Sequence, residues 1–272
     1  MPELPEVETT RRGLAPHILN QRIRTAVVRN AAMRVPIPRG LAKRLAGLTI
    51  RDVGRRGKYL LIDCGAGTLI VHLGMSGRLW LVDANTPVGP HDHFDLVLEN
   101  GHIVRLRDPR RFGLVVWRGC DAPEHPLLAS IGPEPLSPEF TGKSLYEASR
   151  NRSAAIKLVL MDSHVVAGVG NIYASEALFR AKINPKLPAR RIGRSRYDLL
   201  AAKIRETLEA AIAAGGSTLR DFVGGDGRAG YFQNEHLVYG RGGEPCFTCG
   251  TKIKELRQGA RATFYCPSCQ RC

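Results

Sequence analysis

The 272-residue sequence predicts an α+β, multidomain chain: an N-terminal antiparallel β-sandwich, a helical domain and a C-terminal zinc-finger hairpin. Three observations carry this: short alternating apolar runs in the first half, a switch to helical spacing after a proline-rich stretch, and a four-cysteine cluster near the end. From Arg22 to Arg118 the runs include KYLLIDC (58–64), GTLIVHLG (67–74), GRLWLV (77–82), HFDLVLEN (93–100) and HIVRLR (102–107). Period-two alternation over so few residues marks strands. About eight of them with tight turns favour an antiparallel sandwich or barrel. Asn100-Gly101 predicts a hairpin, with a type I′ turn that requires positive φ at both central residues.

Five of the 17 prolines fall between Pro123 and Pro138, where they fix φ and remove backbone donors, so this stretch is expected to be a linker. After it, Ile156, Val159 and Leu160, then Ala174, Ala177 and Leu178, follow helical spacing, with VAGVG between them. A third helix is expected to open at Ser195 with Asp198 completing a capping box, to bury Leu199, Ile204, Leu208 and Ile212, and to stop at Gly215-Gly216. Cys246, Cys249, Cys266 and Cys269 form C-x2-C-x16-C-x2-C, which is zinc-ligand spacing. The roughly 35 residues after Leu237 are too few for a core of their own, so the metal is expected to hold them. Cys64 and Cys120 read as core thiols, and Cys272 sits at the terminus.

Hydrophobic residues at 43% and charged residues at 24% are ordinary globular values, which excludes wholesale disorder, collagen-like repeats and coiled coil. Charge is more informative. Lys+Arg 40 against Asp+Glu 25 gives +15, and 31 of the basic residues are arginine. Guanidinium matches phosphate in bidentate fashion and stacks on bases, so nucleic acid is the expected partner. Glu3, Glu6 and Glu8 stand where a signal peptide would carry Lys or Arg, and no apolar run approaches the roughly 18 residues of a membrane span. A cytoplasmic monomer with no membrane partner is the expectation.

The opening MPELPEVETT places Pro2 behind an initiator Met that a small second residue normally lets be trimmed. At pH 7.5 roughly a third of a free α-amine is unprotonated, against about 0.1% of an ordinary lysine. A secondary amine at Pro2 is then a ready nucleophile, able to form an iminium at an electrophilic carbon, with Glu3 beside it to donate or relay protons. By residue type alone, a proline at the second position is usually inert.

PELPEVETTRRGL, GRRGKYLL, HLGMSGRL, HDHFDL, DPRRFG (108–113), VAGVGNIYASEALF (166–179) and CFTCGTKI…RATFYCPSCQ, in that order over essentially the whole chain, resemble formamidopyrimidine-DNA glycosylase. The resemblance implies domains at 2–130 (catalytic sandwich with an N-terminal helix), 131–224 (helix-two-turn-helix) and 237–272 (zinc finger). It implies excision of 8-oxoguanine and formamidopyrimidines from double-stranded DNA, then strand cleavage at the abasic site. Pro2 would attack the sugar, Glu3 assist, Lys58 serve β-elimination and Arg261 δ-elimination. Met75, Arg110 and Phe112 would fill the gap left by the extruded base, and His91, Asn151, Arg152, Lys157 and Asn171 would meet DNA, with phosphate falling to either Asn151 or Arg152. Glu6 matches a buried carboxylate near the site. The Gly-rich segment 217–235 would close over the lesion, and one structural zinc would sit on the four cysteines.

By type alone these residues read more plainly. Lys58 is a solvated strand-end charge, Arg261 a zinc-loop surface residue and Met75 a loop methionine. Arg110 is a salt-bridged arginine, Phe112 a buried ring, Asn171 an N-cap and Glu6 a helix-start charge. Two rival functions follow: an endonuclease VIII-like glycosylase for oxidised pyrimidines, and a zinc-containing DNA binder with no catalysis.

Overall fold

A computed structural model describes residues 2–217 and 235–271. These gather into two compact units, one of residues 2–129 with 214–217 and one of residues 130–213 with 235–271. In the first unit, helix α1 (Leu4–Ile18) leads into strand β1 (Ile23–Val28) and the short helix α2 (Leu41–Leu45). Strands β2 (Asp52–Arg56), β3 (Tyr59–Asp63), β4 (Gly67–His72), β5 (Arg78–Asp83), β6 (Asp92–Leu98), β7 (His102–Arg107) and β8 (Leu114–Gly119) follow. They form two antiparallel four-stranded sheets, ordered β1-β6-β7-β5 and β2-β3-β4-β8. Alternation turns Leu60, Ile62, Leu69 and Val71 of one sheet and Phe94, Leu96 and Leu106 of the other into one core, which Val7, Leu14 and Ile18 of α1 complete. This is the expected sandwich.

The β6–β7 hairpin forms where Asn100-Gly101 predicts it, but through another turn. Of the pair, only Gly101 has positive φ, at +90°. Leu98 C=O accepts the Gly101 N–H at 3.2 Å, so Glu99 and Asn100 make the bend and the glycine makes the left-handed step after it. A three-residue loop spares Asn100 that conformation, and its Oδ1 accepts the His102 N–H at 3.1 Å instead. The proline-rich stretch is not linker throughout. It contains one helical turn, α3 (Pro126–Ala129), with proline first, where the missing N–H costs nothing.

The second unit holds α4 (Gly142–Ser149), α5 (Ile156–Leu160), α6 (Asn171–Arg180), α7 (Arg194–Ala213), β9 (Lys254–Gln258) and β10 (Arg261–Tyr265). Helices α5 and α6 lie where the spacing puts them. Helix α7 starts one residue before Ser195, which therefore lies inside its first turn, and Asp198 faces Arg194 at 3.5 Å rather than closing a capping box. Its inward stripe runs Tyr197, Leu200, Ile204, Leu208, leaving Leu199 44% exposed against expectation. Gly215 and Gly216, at φ +77° and +82°, end it as foreseen.

The cysteine segment is not held by metal alone. Val238, Ile253 and Phe264 pack with Cys246 and Cys266 against Phe179 of α6, so the segment shares the helical core. Cys64 is buried as expected, whereas Cys120 is exposed, because it sits in the turn just past the end of β8. Cys272 and all but the ends of the expected lesion-capping segment lie outside the described residues. Among those residues no helix is long and apolar enough to cross a membrane.

Candidate active site and nucleic-acid interface

Pro2 is buried directly ahead of α1. Glu3, 2% exposed, is the N-cap, and a capping box with Glu6 closes the helix start, with Glu3 N–H donating to Glu6 Oε2 at 2.8 Å. The other Glu6 oxygen accepts the Ser217 N–H at 2.8 Å. One buried carboxylate thus fixes both the residue after Pro2 and the chain at Gly216-Ser217, which makes Glu6 more than a helix-start charge. Further along α1, Glu8 gathers Arg11 and Arg12 at 2.8 Å and Arg55 at 3.3 Å. Burial raises its pKa, but the hydrogen bonds from Arg11 and Arg12 and the charges of Arg11 and Arg55 outweigh it and bring the carboxyl down to about 2. Arg55 also donates to Gly57 C=O at 2.9 Å, tying this cluster to the turn that carries Lys58.

Lys58 is half-buried at the second position of the two-residue turn between β2 and β3. Gly57, at φ +56°, takes the first position, the arrangement of a type II′ turn. His72, at the end of β4, is held down to about 4 by burial, then by the charges of Lys58 and Arg34, so it stays neutral at pH 7. Its Nδ1 accepts the Gly74 N–H at 3.0 Å and steers the chain into the Met75 loop.

Met75 and the Arg110–Phe112 segment come from loops that touch. A side chain at Gly74 (φ +64°) would strike the Phe112 backbone. Phe112 is 42% exposed, with the Arg110 guanidinium 4.7 Å from its ring centre, so the ring is not buried as its type suggests. His91 is exposed at the entry to β6. A residue singled out for no role lies beneath all of these: Asp108, fully buried, accepts Ser76 Oγ at 2.8 Å and Gly113 N–H at 2.7 Å. Its only sequence signal is an Asp before Pro, a turn former.

In the second unit, Gly259 and Ala260, at φ +52° and +60°, turn β9 into β10 and put half-buried Arg261 first on the return strand. Lys157 departs from a surface phosphate contact. It is fully buried, and its Nζ donates to Ala262 C=O at 2.8 Å and Thr263 Oγ1 at 2.7 Å, bracing the strand that carries Arg261. Asn171 is the first residue of α6 rather than its cap, which is Gly170. Its Nδ2 shares the Ala262 carbonyl at 3.0 Å, and its Oδ1 has no partner among the described residues. Asn151 and Arg152 are exposed, and Arg152 pairs with Asp162 at 2.7 Å. Glu176 of α6 gives sequence reasoning no signal beyond an acid in an apolar run. Fully buried, it accepts the N–H groups of Leu237, Val238 and Tyr239 within 3.1 Å and pairs with Arg180 at 2.6 Å, stitching the cysteine segment to the helix.

The sulfurs of Cys246, Cys249, Cys266 and Cys269 all lie within 4.8 Å of one another. Tetrahedral zinc, with Zn–S bonds near 2.3 Å, wants sulfurs about 3.8 Å apart. Four thiolates this close repel one another and need a cation between them. The donor set fits one structural zinc, whose chemistry is to order the hairpin.

A sandwich headed by a buried proline, a helical unit and a four-thiolate hairpin thus follow one another along the chain. Sequence models match in the same order: formamidopyrimidine-DNA glycosylase N-terminal domain over residues 1–115, its H2TH domain over 131–223, and a zinc finger found in FPG and IleRS over 243–271. The formamidopyrimidine-DNA glycosylase of Stutzerimonas stutzeri is 58% identical over 272 residues, 100% of both chains. The crystal structure of the MutM (FPG) protein of Thermus thermophilus aligns with a TM-score of 0.89 at 41% identity, covering 99% of this chain and 98% of that one. A Lactococcus lactis FPG mutant in complex with Fapy-dG-containing DNA aligns at 0.91 and 36%, covering 99% and 100%. The chain belongs to the formamidopyrimidine-DNA glycosylase family. It is a base excision repair enzyme, a DNA glycosylase with abasic-site lyase activity.

Proposed function

We propose that this chain excises 8-oxoguanine and formamidopyrimidines from duplex DNA with Pro2 as nucleophile, working as a monomer in the cytoplasm on nucleoid DNA. Freed of Met1, the prolyl nitrogen adds to C1′ of the damaged nucleotide and the base leaves. Glu3 protonates the opening sugar, and the resulting iminium acidifies the C2′ hydrogen. Loss of that proton, with Lys58 assisting, breaks the 3′ C–O bond by β-elimination. Arg261 assists δ-elimination at the 5′ side, leaving a one-nucleoside gap. His91, Asn171 and the Asn151–Arg152 pair take phosphates, and Met75, Arg110 and Phe112 occupy the vacated stack. The catalytic part is residues 2–130, followed by the helical part at 131–224 and the zinc finger at 237–272.

What carries this reading is the burial of Pro2 beside Glu3, on a helix start that Glu6 clamps from two sides. Pro2→Gly tests it: the variant is expected to keep DNA binding and lose most base excision, and unchanged turnover on an 8-oxoguanine duplex contradicts it.

A further inference from the structure

We infer that Asp108 is the positioning residue that locks together the loops bearing Met75 and Arg110–Phe112 and ties them to His91; this rests on the gap-filling role proposed for Met75, Arg110 and Phe112. Every polar group of the residue is engaged. Its N–H donates to His91 C=O at 3.0 Å, and its own C=O accepts the Arg111 N–H at 3.1 Å and lies 2.9 Å from His93 Nε2. Its Oδ1 accepts Ser76 Oγ at 2.8 Å, next to Met75, and the Arg110 N–H at 3.3 Å. Its Oδ2 accepts the Gly113 N–H at 2.7 Å, just past Phe112. The buried carboxylate therefore joins two loops, its own and the one bearing Met75, and the backbone N–H of the same residue holds a third, at His91.

The backbone it holds does not rest there unaided. Arg111 has φ +56°, a conformation disfavoured for a side chain of its size, and a residue persists in it only where its surroundings over-determine it. Extruding a base costs a few kcal/mol, which a wedge offsets only if its tip is already in place; a loop that must be ordered at that moment offsets less. Ionised, Asp108 only accepts, and all three side-chain partners are donors. An amide in its place keeps the shape but turns an NH2 toward one of them.

The account predicts that Asp108→Asn separates two activities of the full chain. Single-turnover excision of 8-oxoguanine from a duplex should fall about thirtyfold, as expected for buried donors left unpaired. Cleavage of an abasic site in a single strand, which needs no extrusion, should stay within about threefold of the parent. An equal loss on both substrates makes Asp108 merely structural, and no loss on either removes its role; both overturn the inference. Should Asp108→Asn fail to fold, Ser76→Ala, which deletes one donor, should lower duplex excision alone by about threefold, and the same two results overturn it. A combined Met75→Ala, Arg110→Ala, Phe112→Ala variant tells the two failures apart. A duplex-specific loss there with none in Asp108→Asn refutes the positioning role, and no loss there refutes the gap-filling reading beneath it.

Discussion

Glu8 shows how far a single residue's chemistry departs from its type. Three guanidiniums hold an otherwise costly buried carboxylate in its charged form, so its folded pKa, about 2, lies below the ordinary 4.5. A depressed folded pKa gives stability that is present above the unfolded value and lost as pH falls through the folded one. Glu8→Gln should therefore cost about 1–3 kcal/mol at pH 7, with the gap to the parent closing as pH drops from about 4.5 toward 2. Denaturant unfolding at a series of pH values checks this; a pH-independent difference contradicts it. At this scale the sequence was legible where a motif fixes an identity, as at the four cysteines. It was not legible where burial decides a role. Lys157 braces a strand and Asp108 clamps loops because of what folds around them, and neither residue's type says which donors or acceptors will arrive.

The strands were readable because alternation survives wherever one sheet face meets a core, and α5 and α6 because apolar spacing marks their buried sides. Helix α2 buries only two leucines and α4 only one, too few apolar side chains to mark a helical face. The Asn100 turn went astray because one glycine suffices to relieve a three-residue loop. The cysteine hairpin was half legible: spacing gave the metal, but not Phe179 or Glu176, which hold the segment to α6 from elsewhere in the chain. That arrangement predicts a graded response to chelation. Zinc removal should weaken DNA binding, because the turn before Arg261 loses its frame, while far-UV circular dichroism keeps the signal of α6 and α7. Full affinity in chelator, or loss of the helical signal with the metal, contradicts it.

Across the whole molecule, an excess of +15 pointed to nucleic acid before any motif was read, and the ordered motifs pointed to the repair of oxidised bases. Charge predicts the partner but not the chemistry, since a zinc-containing DNA binder would carry the same surplus. What separates the enzyme from such a binder is the amine at the head of α1. The most direct measurement is borohydride trapping on an 8-oxoguanine duplex, with the adduct mapped by peptide mass and a parallel sample whose prolyl terminus is acetylated. The account predicts a covalent adduct on Pro2 with the free terminus, and neither adduct nor strand cleavage with the blocked one. Cleavage at the parent rate by the acetylated protein, or an adduct mapped to Lys58, would contradict it.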